Sequence, residues 1–299
     1  MKVFKAAFKH ELLSSLRSRS PQLVVTLFLV LISISSIIGW LTVRNVTKIY
    51  NDIVSQNLTT APNPFTNVPS LYYMRDSVIY VVLIGSLMSI ILGAQASLRD
   101  RKSNANELIK TRNVNLVHRI LGQLSAIASI IVLLEIVALL TSFILIWVIQ
   151  KTPLNIGAVF SLLGYGAVSA ILMIALAAIG FTFGTISKSE ESSLLYPIVG
   201  WALVTFTIPQ IITSIHPVAL LNPTPAVSTG TGLAQSVINV ISPLAVMENF
   251  KAIANAILGV DKSIQLSLVD LLSFSLFAGV GVMASVVISS KSFGRKLDA

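Results

Sequence analysis

The chain has 299 residues, of which 54% are hydrophobic and 11% charged, with a net charge of +9 and a mean hydropathy of +0.84. A water-soluble domain carries about 25% charged residues, so this composition excludes an ordinary soluble domain and points to a chain dissolved in lipid. The basic residues lie between apolar runs, so the positive charge indicates an anionic membrane surface rather than nucleic acid, and the absence of cysteine excludes disulfides and thiolate metal sites.

The N-terminal segment 1–21, MKVFKAAFKHELLSSLRSRSP, does not read as a cleavable signal peptide. About twenty polar or amphipathic residues precede the first apolar run, and no small-residue cleavage site follows a short apolar core. On a helical wheel Val3, Phe4, Ala7, Phe8, Leu12 and Leu16 fill one arc, with Lys2, Lys9, His10 and Arg17 largely opposite. Such a helix lies in the interface plane with its bases toward anionic headgroups. Glu11 falls inside the apolar arc, where a carboxylate should meet protein rather than lipid; the alternative is that the helix ends or rolls there.

A spanning helix needs about 20 mostly apolar residues. Six segments qualify, at about 22–43, 77–98, 120–150, 156–187, 194–213 and 266–290. The expected fold is therefore an all-α integral membrane protein with six transmembrane helices, an N-terminal amphipathic interfacial helix and short outer helices between spans 5 and 6. Lys and Arg concentrate in cytoplasmic connections. With the N-terminus inside, five fall in the first segment, six in the 99–119 connection, one at Lys188 and three at Lys291, Arg295 and Lys296. The outer pieces hold Arg44, Lys48, Arg75, Lys151, Lys251 and Lys262. The bias places both termini in the cytoplasm.

Of the outer connections, 44–76 is rich in Asn, Thr and Pro and reads as irregular, with N-x-T triplets at Asn45 and Asn57. The 214–265 segment is broken by Pro217, Pro223, Pro225 and Pro243. Within it, GLAQSVINVI and PLAVMENFKAIANAILG are apolar but too short to span, which suits helices lying at the outer surface or dipping into the membrane. Gly180 and Gly184 form a G-x-x-x-G spacing that permits close helix approach, within the subunit or between subunits.

Several chemistries have no signature. No G-x-x-x-x-G-K-[ST] occurs, so the chain alone cannot cradle ATP phosphates. His10-Glu11 begins like a zinc-protease motif, but position 14 is Ser; His10, His118 and His216 lie far apart and do not form a converging metal set. No G-x-S-x-G appears, and no catalytic, cofactor-binding or metal residue is assigned. Glu135 stands out at the middle of the third span, where an ionised carboxylate is costly. It reads either as part of a substrate or ion pathway or as a hydrogen-bonded structural carboxyl. Asp270 lies near the outer end of the sixth span and can reach the interface.

The 99–119 connection holds Arg99, Arg101, Lys102, Lys110, Arg112 and Arg119, with Leu108, Ile109, Val114, Leu116 and Val117 among them. Its charges could simply retain the loop inside, or a short helix of this double character could dock on a soluble partner. Three motifs in order bring the chain close to a known family. His10-Glu11 is followed by Arg17-Ser18-Arg19-Ser20; Arg99-Asp100-Arg101-Lys102 by Glu107-Leu108-Ile109, Thr111, Val114 and Ile120-Leu121-Gly122-Gln123; and Ile241-Ser242-Pro243-Leu244 by Phe250. In this pattern the chain resembles the permease subunit of ABC-2 type ATP-binding-cassette exporters, with Asn104-Ala105 replacing the usual Gly-Thr and Gln123 the usual Lys.

The resemblance covers nearly the whole chain and implies one transmembrane domain over 1–299. It implies two permeases side by side, a homodimer or a homologous heterodimer, with two ABC ATPase subunits beneath that bind the ATP and Mg; this chain would hold no cofactor. The connection would be the coupling helix, with Arg101, Glu107, Leu108, Ile109 and Arg112 meeting the ATPase and Glu11 on the interfacial elbow. The layout is similar to permeases of nitrous-oxide-reductase maturation, sodium export and peptide-antibiotic resistance. Membrane lipid is expected as a partner and an extracytoplasmic accessory protein is a further candidate; nucleic acid is not. The competing readings are an ATP-independent secondary transporter with Glu135 as its cation or proton site, and a structural or signalling membrane subunit.

Overall fold

The computed structural model describes residues 2–60, 69–102, 114–150, 154–187, 189–213, 219–226, 240–260 and 266–298, with single positions 232, 236 and 238. Among the described residues there is no strand, and six helices are long and apolar enough to cross a membrane: Val25–Ser55, Ser70–Arg99, Leu116–Ile149, Ile156–Ile186, Glu190–Thr213 and Leu268–Phe293. This is a multi-pass helical membrane protein. In lipid, helices satisfy their own backbone groups, which is why apolar runs of this length fold this way.

The first helix, α1 (Lys2–Arg17), packs along the third long helix, α5 (Leu116–Gln150). Ser18, with extended backbone, separates α1 from α2 (Arg19–Ser55), and Pro21 sits in the first turn of α2, where a missing N–H costs nothing. Helix α2 runs twelve residues past the expected end at 43, so the 44–76 connection is helical over its first third rather than irregular. Continuing a helix gains one hydrogen bond per residue fixed, a much lower cost than starting one. It stops where Asn57 adopts φ 55°, with Leu58 N–H donating to the Ile53 carbonyl at 3.1 Å and Asn57 N–H to that of Val54 at 2.9 Å. Asparagine is the side chain that best tolerates that left-handed cap.

The second span is not uniform. A 3-10 turn (Ser70–Met74) leads into α3 (Ser77–Tyr80), a π turn (Val81–Gly85) and α4 (Ser86–Lys102). The Ser86 hydroxyl takes up the Val82 carbonyl that the π turn displaces, and itself accepts from Trp201 Nε1 at 2.6 Å. The fifth span is similarly broken: α7 (Glu190–Ala202), a π turn (Leu203–Thr207) and α8 (Ile208–Thr213). That π turn contains the Thr205 carbonyl, which Pro209 leaves without an α-helical donor. Helix α7 begins earlier than expected because Ser189 and Ser192 form a reciprocal cap and Glu190 and Glu191 occupy the positive end of the helix dipole. Helix α5 also starts early, at Leu116 with the Asn115 side chain accepting from His118 N–H, so part of the expected coupling segment belongs to the third span.

The core pairs α4 with α6 (Ile156–Ile186). Three glycines set their separation. A Cβ on Gly93 would lie 1.9 Å from the Ala177 carbonyl oxygen, one on Gly180 2.2 Å from that of Ile90, and one on Gly184 1.7 Å from the Ser97 hydroxyl. The G-x-x-x-G pair therefore serves packing within the subunit, where backbones approach closely because lipid offers no hydrophobic drive between spans. Antiparallel α5 and α6 meet where Leu139 lies over Gly166. Helix α9 (Val246–Leu258) is not an exposed surface helix. Most of its residues are buried, and it is wedged against α6 and the last span, α10 (Leu268–Asp298).

Candidate functional site

Glu11 is fully buried, inside the junction of α1, α4 and α5. Gly122 of α5 makes that junction possible: a Cβ there would be 2.6 Å from the Phe4 carbonyl of α1. Glu11 Oε1 accepts from the Ser15 hydroxyl one turn on, at 2.9 Å, and pairs with Arg99 Nη2 from α4; the same Nη2 donates to Ser15 Oγ at 2.7 Å. Removing two ions from water costs several kcal/mol each, so the pair exists because the apolar face of α1 carries Glu11 into the protein and the end of α4 supplies a cation at the same level. The sequence singled out Glu11; it placed Arg99 in the basic connection without a partner.

Beside this link a polar cavity of about 390 Å³ opens between the α1–α2 elbow, the end of α4 and the start of α7. Ser18, Gln95, Arg99, Glu190 and Glu191 line it. Arg99 thus joins the buried pair to a solvent-reaching space that holds two carboxylates at a helix N-terminus.

Glu135 faces the bundle interior, 4% exposed, on the side of α5 that meets α6. Among the described residues its Oε1 has no hydrogen-bond partner and no cation lies within ion-pair distance. The neighbouring Tyr165 hydroxyl, within electrostatic reach of Glu135, shares a hydrogen bond of 3.0 Å with Ser77. The geometry thus gathers Ser77, Glu135, Tyr165 and Ser169 from three segments into one buried polar centre.

At the opposite end of α6, a second ion pair escaped the sequence reading. Lys251 Nζ donates to Glu248 Oε1 and to the Leu220 carbonyl, both at 2.7 Å. Glu248 Oε2 accepts from Ala226 N–H at 2.9 Å, and Asn255 Nδ2 donates to the Pro223 carbonyl at 2.8 Å. Segment 219–226 is thereby strapped to α9. Lys251, counted above among the outer cations, is buried. The available signal was the spacing of Glu248, Lys251 and Asn255 on one helical face of an otherwise apolar run.

Of the residues expected at the ATPase contact, Arg101 lies in the last turn of α4 with only its backbone described, and Glu107, Leu108, Ile109 and Arg112 lie outside the described residues. Arg119 is turned inward, its guanidinium 5.4 Å from the Phe293 ring centre on α10. Two of the six patch cations, Arg99 and Arg119, therefore belong to internal packing. Among the described residues no three His, Asp or Glu gather as a metal-ligand set. In comparisons with models of known families and with curated proteins, nothing matches this chain.

Proposed function

We propose that this chain is the permease subunit of an ABC-2 type exporter, which moves a substrate across the membrane with ATP hydrolysed by separate ATPase subunits. The observation that carries the reading is the Glu11–Ser15–Arg99 link. It ties α1, an amphipathic helix that on this reading lies at the inner membrane interface, to the residue where the basic 99–119 segment begins. A docked ATPase pushing on Arg101, Glu107, Leu108, Ile109 and Arg112 would pull on the elbow through this link. Two permease copies over two ATPases, both termini cytoplasmic, would then pass between inward- and outward-facing states as the ATPases close. ATP and Mg sit in the partner chains, in keeping with the absence of a P-loop here.

The test is coexpression with an ATPase subunit encoded beside this chain, purification in mild detergent, and native mass. A complex of two permeases with two ATPases is expected. Arg101→Ala, Glu107→Ala and Arg112→Ala together should release the ATPase or uncouple its hydrolysis while the spans still insert. A monomer that recruits no ATPase, or a triple variant that binds and stimulates as before, defeats the proposal.

Glu135 favours a second reading, a secondary transporter. A carboxylate buried in the bundle without a cation is the kind of group that takes up a proton or a cation during transport. Transport that persists without ATP and collapses with the proton or sodium gradient would select it.

A further inference from the structure

An apolar groove of about 170 Å³ runs between α2 and α5 just above the elbow. Ser15, Leu16, Val25, Leu29, Leu133 and Val137 are among its walls. From Gln22 to Leu29 the wall rises about 10 Å at 1.5 Å per residue, from the elbow toward the middle of the bundle. Leu133 and Val137 are exposed beside it, so the groove opens sideways, toward the hydrocarbon. At its elbow end the Gln22 side chain is committed to the Leu16 carbonyl at 2.6 Å, and the next residue along α1 is the exposed Arg17.

Among the described residues, the exposed titratable side chains of α1 carry no acid. Lys2, Lys5, Lys9, His10 and Arg17 are the exposed titratable residues of α1. Its single carboxylate, Glu11, is buried and paired by Arg99. A group reaching the outer face of α1 therefore meets cations without a competing acid on that helix. Glu190 and Glu191 line the neighbouring polar cavity, which shares no wall residue with the groove. Ser15 belongs both to the groove wall and to the Glu11–Arg99 link, so whatever fills the groove touches that link.

We propose that this groove binds one acyl chain of an anionic membrane phospholipid, with the headgroup held at Arg17. The occupant is fixed by the two halves of the site together: a dry slot open to the hydrocarbon, and a cationic rim at its inner end. The bound lipid packs α1 against α2 and α5 and so steadies the elbow beside Ser15. This rests on the interfacial placement of α1 proposed above and needs no ATPase, so its failure is distinguishable from a failure of ATPase docking.

The experiment reconstitutes the full chain in vesicles of equal phosphatidylglycerol and phosphatidylcholine, re-extracts it in mild detergent, and counts retained lipids by native mass spectrometry. The wild type should keep one phosphatidylglycerol per chain, preferred over phosphatidylcholine about fivefold, the ratio expected for one cation at a membrane surface. Arg17→Gln should bring that preference close to one while still retaining a lipid. Leu133→Trp, at a side chain already exposed to lipid, should fill the slot and lose the retained lipid at an unchanged melting temperature; Val137→Phe serves the same purpose if Leu133→Trp does not fold. Equal retention of the two lipids by the wild type overturns the proposal, as does undiminished retention in the folded groove-filling variant.

Discussion

Replacing Arg99 with Met would leave the Glu11 carboxylate, whose side chain is 1% exposed, holding only the Ser15 hydroxyl. Removing one partner of a buried pair costs about 3–5 kcal/mol, because the other charge stays buried and uncompensated. Arg99 is 20% exposed through the polar cavity, so water softens the loss and the lower end, about 3 kcal/mol, is expected. Glu11→Gln is milder, about 1–2 kcal/mol, because the freed guanidinium can turn toward the cavity that holds Glu190 and Glu191. The link is also incomplete, since among the described residues Glu11 Oε2 and Arg99 Nε have no hydrogen-bond partner. Replacing both members with apolar groups should therefore recover most of the stability, and Glu11→Leu with Arg99→Met should melt near the wild type. A double-mutant cycle on the detergent-purified chain measures the coupling. Single losses that simply add, or an Arg99→Met variant no less stable than Glu11→Gln, would refute the buried link. If the link transmits motion, the stable double variant should still lose ATPase stimulation, which separates the functional role from the structural one.

Gly180→Ala must displace the Ile90 carbonyl, 2.2 Å from the new Cβ, and should lower stability by about 1–3 kcal/mol through forced separation of α4 and α6; Gly200→Ala, with nothing within 4 Å, is the control that should not shift the melt. Glu135→Gln keeps the shape of the side chain, so loss of transport at unchanged melting temperature marks a pathway group, whereas a fully active Glu135→Leu rules the pathway out. Lys251→Met strands Glu248 and frees the Leu220 carbonyl; a loss of about 3–5 kcal/mol with faster amide exchange over 220–226 is expected, and unchanged exchange would show that the strap is held by other means.

The spans were legible because lipid imposes one rule, a long apolar run, that needs no knowledge of neighbours. Their ends were not. Helix α2 continues to Ser55 through Asn and Thr residues because propagation is cheap once a helix exists, and a composition rich in turn formers concealed that. The π turns at Val81–Gly85 and Leu203–Thr207 go with single residues inside the spans, the Ser86 hydroxyl and Pro209, that a count of apolar residues passes over. At the candidate site, the inward position of Glu11 follows from the helical wheel, but its partner lies 88 residues away in sequence, and periodicity carries no such pairing. Charge counting erred in kind at Lys251: it treats each cation as exposed to a membrane surface, whereas a cation three residues from a glutamate on a buried helix is neutralised in place.

A division of labour follows from where each kind of contact occurs. Between spans, lipid is as apolar as the side chains, so association falls to close packing, and Gly93, Gly180 and Gly184 supply it between α4 and α6. The helices α1 and α9 do not cross. Each is amphipathic and has an apolar alternative at the membrane surface. Helix α1 is held by the buried pair of Glu11 with Arg99 at one end of α6; at the other end the Glu248–Lys251 pair lies within α9 and fixes segment 219–226 to it through Ala226 N–H and the Leu220 carbonyl. An ion pair gives direction and register that an apolar face cannot, and it is lost as a unit when one charge goes. Glycine substitutions should consequently loosen the whole bundle together, while substitutions at Glu11 and Arg99 should free α1, those at Glu248 and Lys251 should free segment 219–226, and both should leave the six spans folded. The second pattern is the one expected of elements that pass motion between the membrane and whatever docks on its surface.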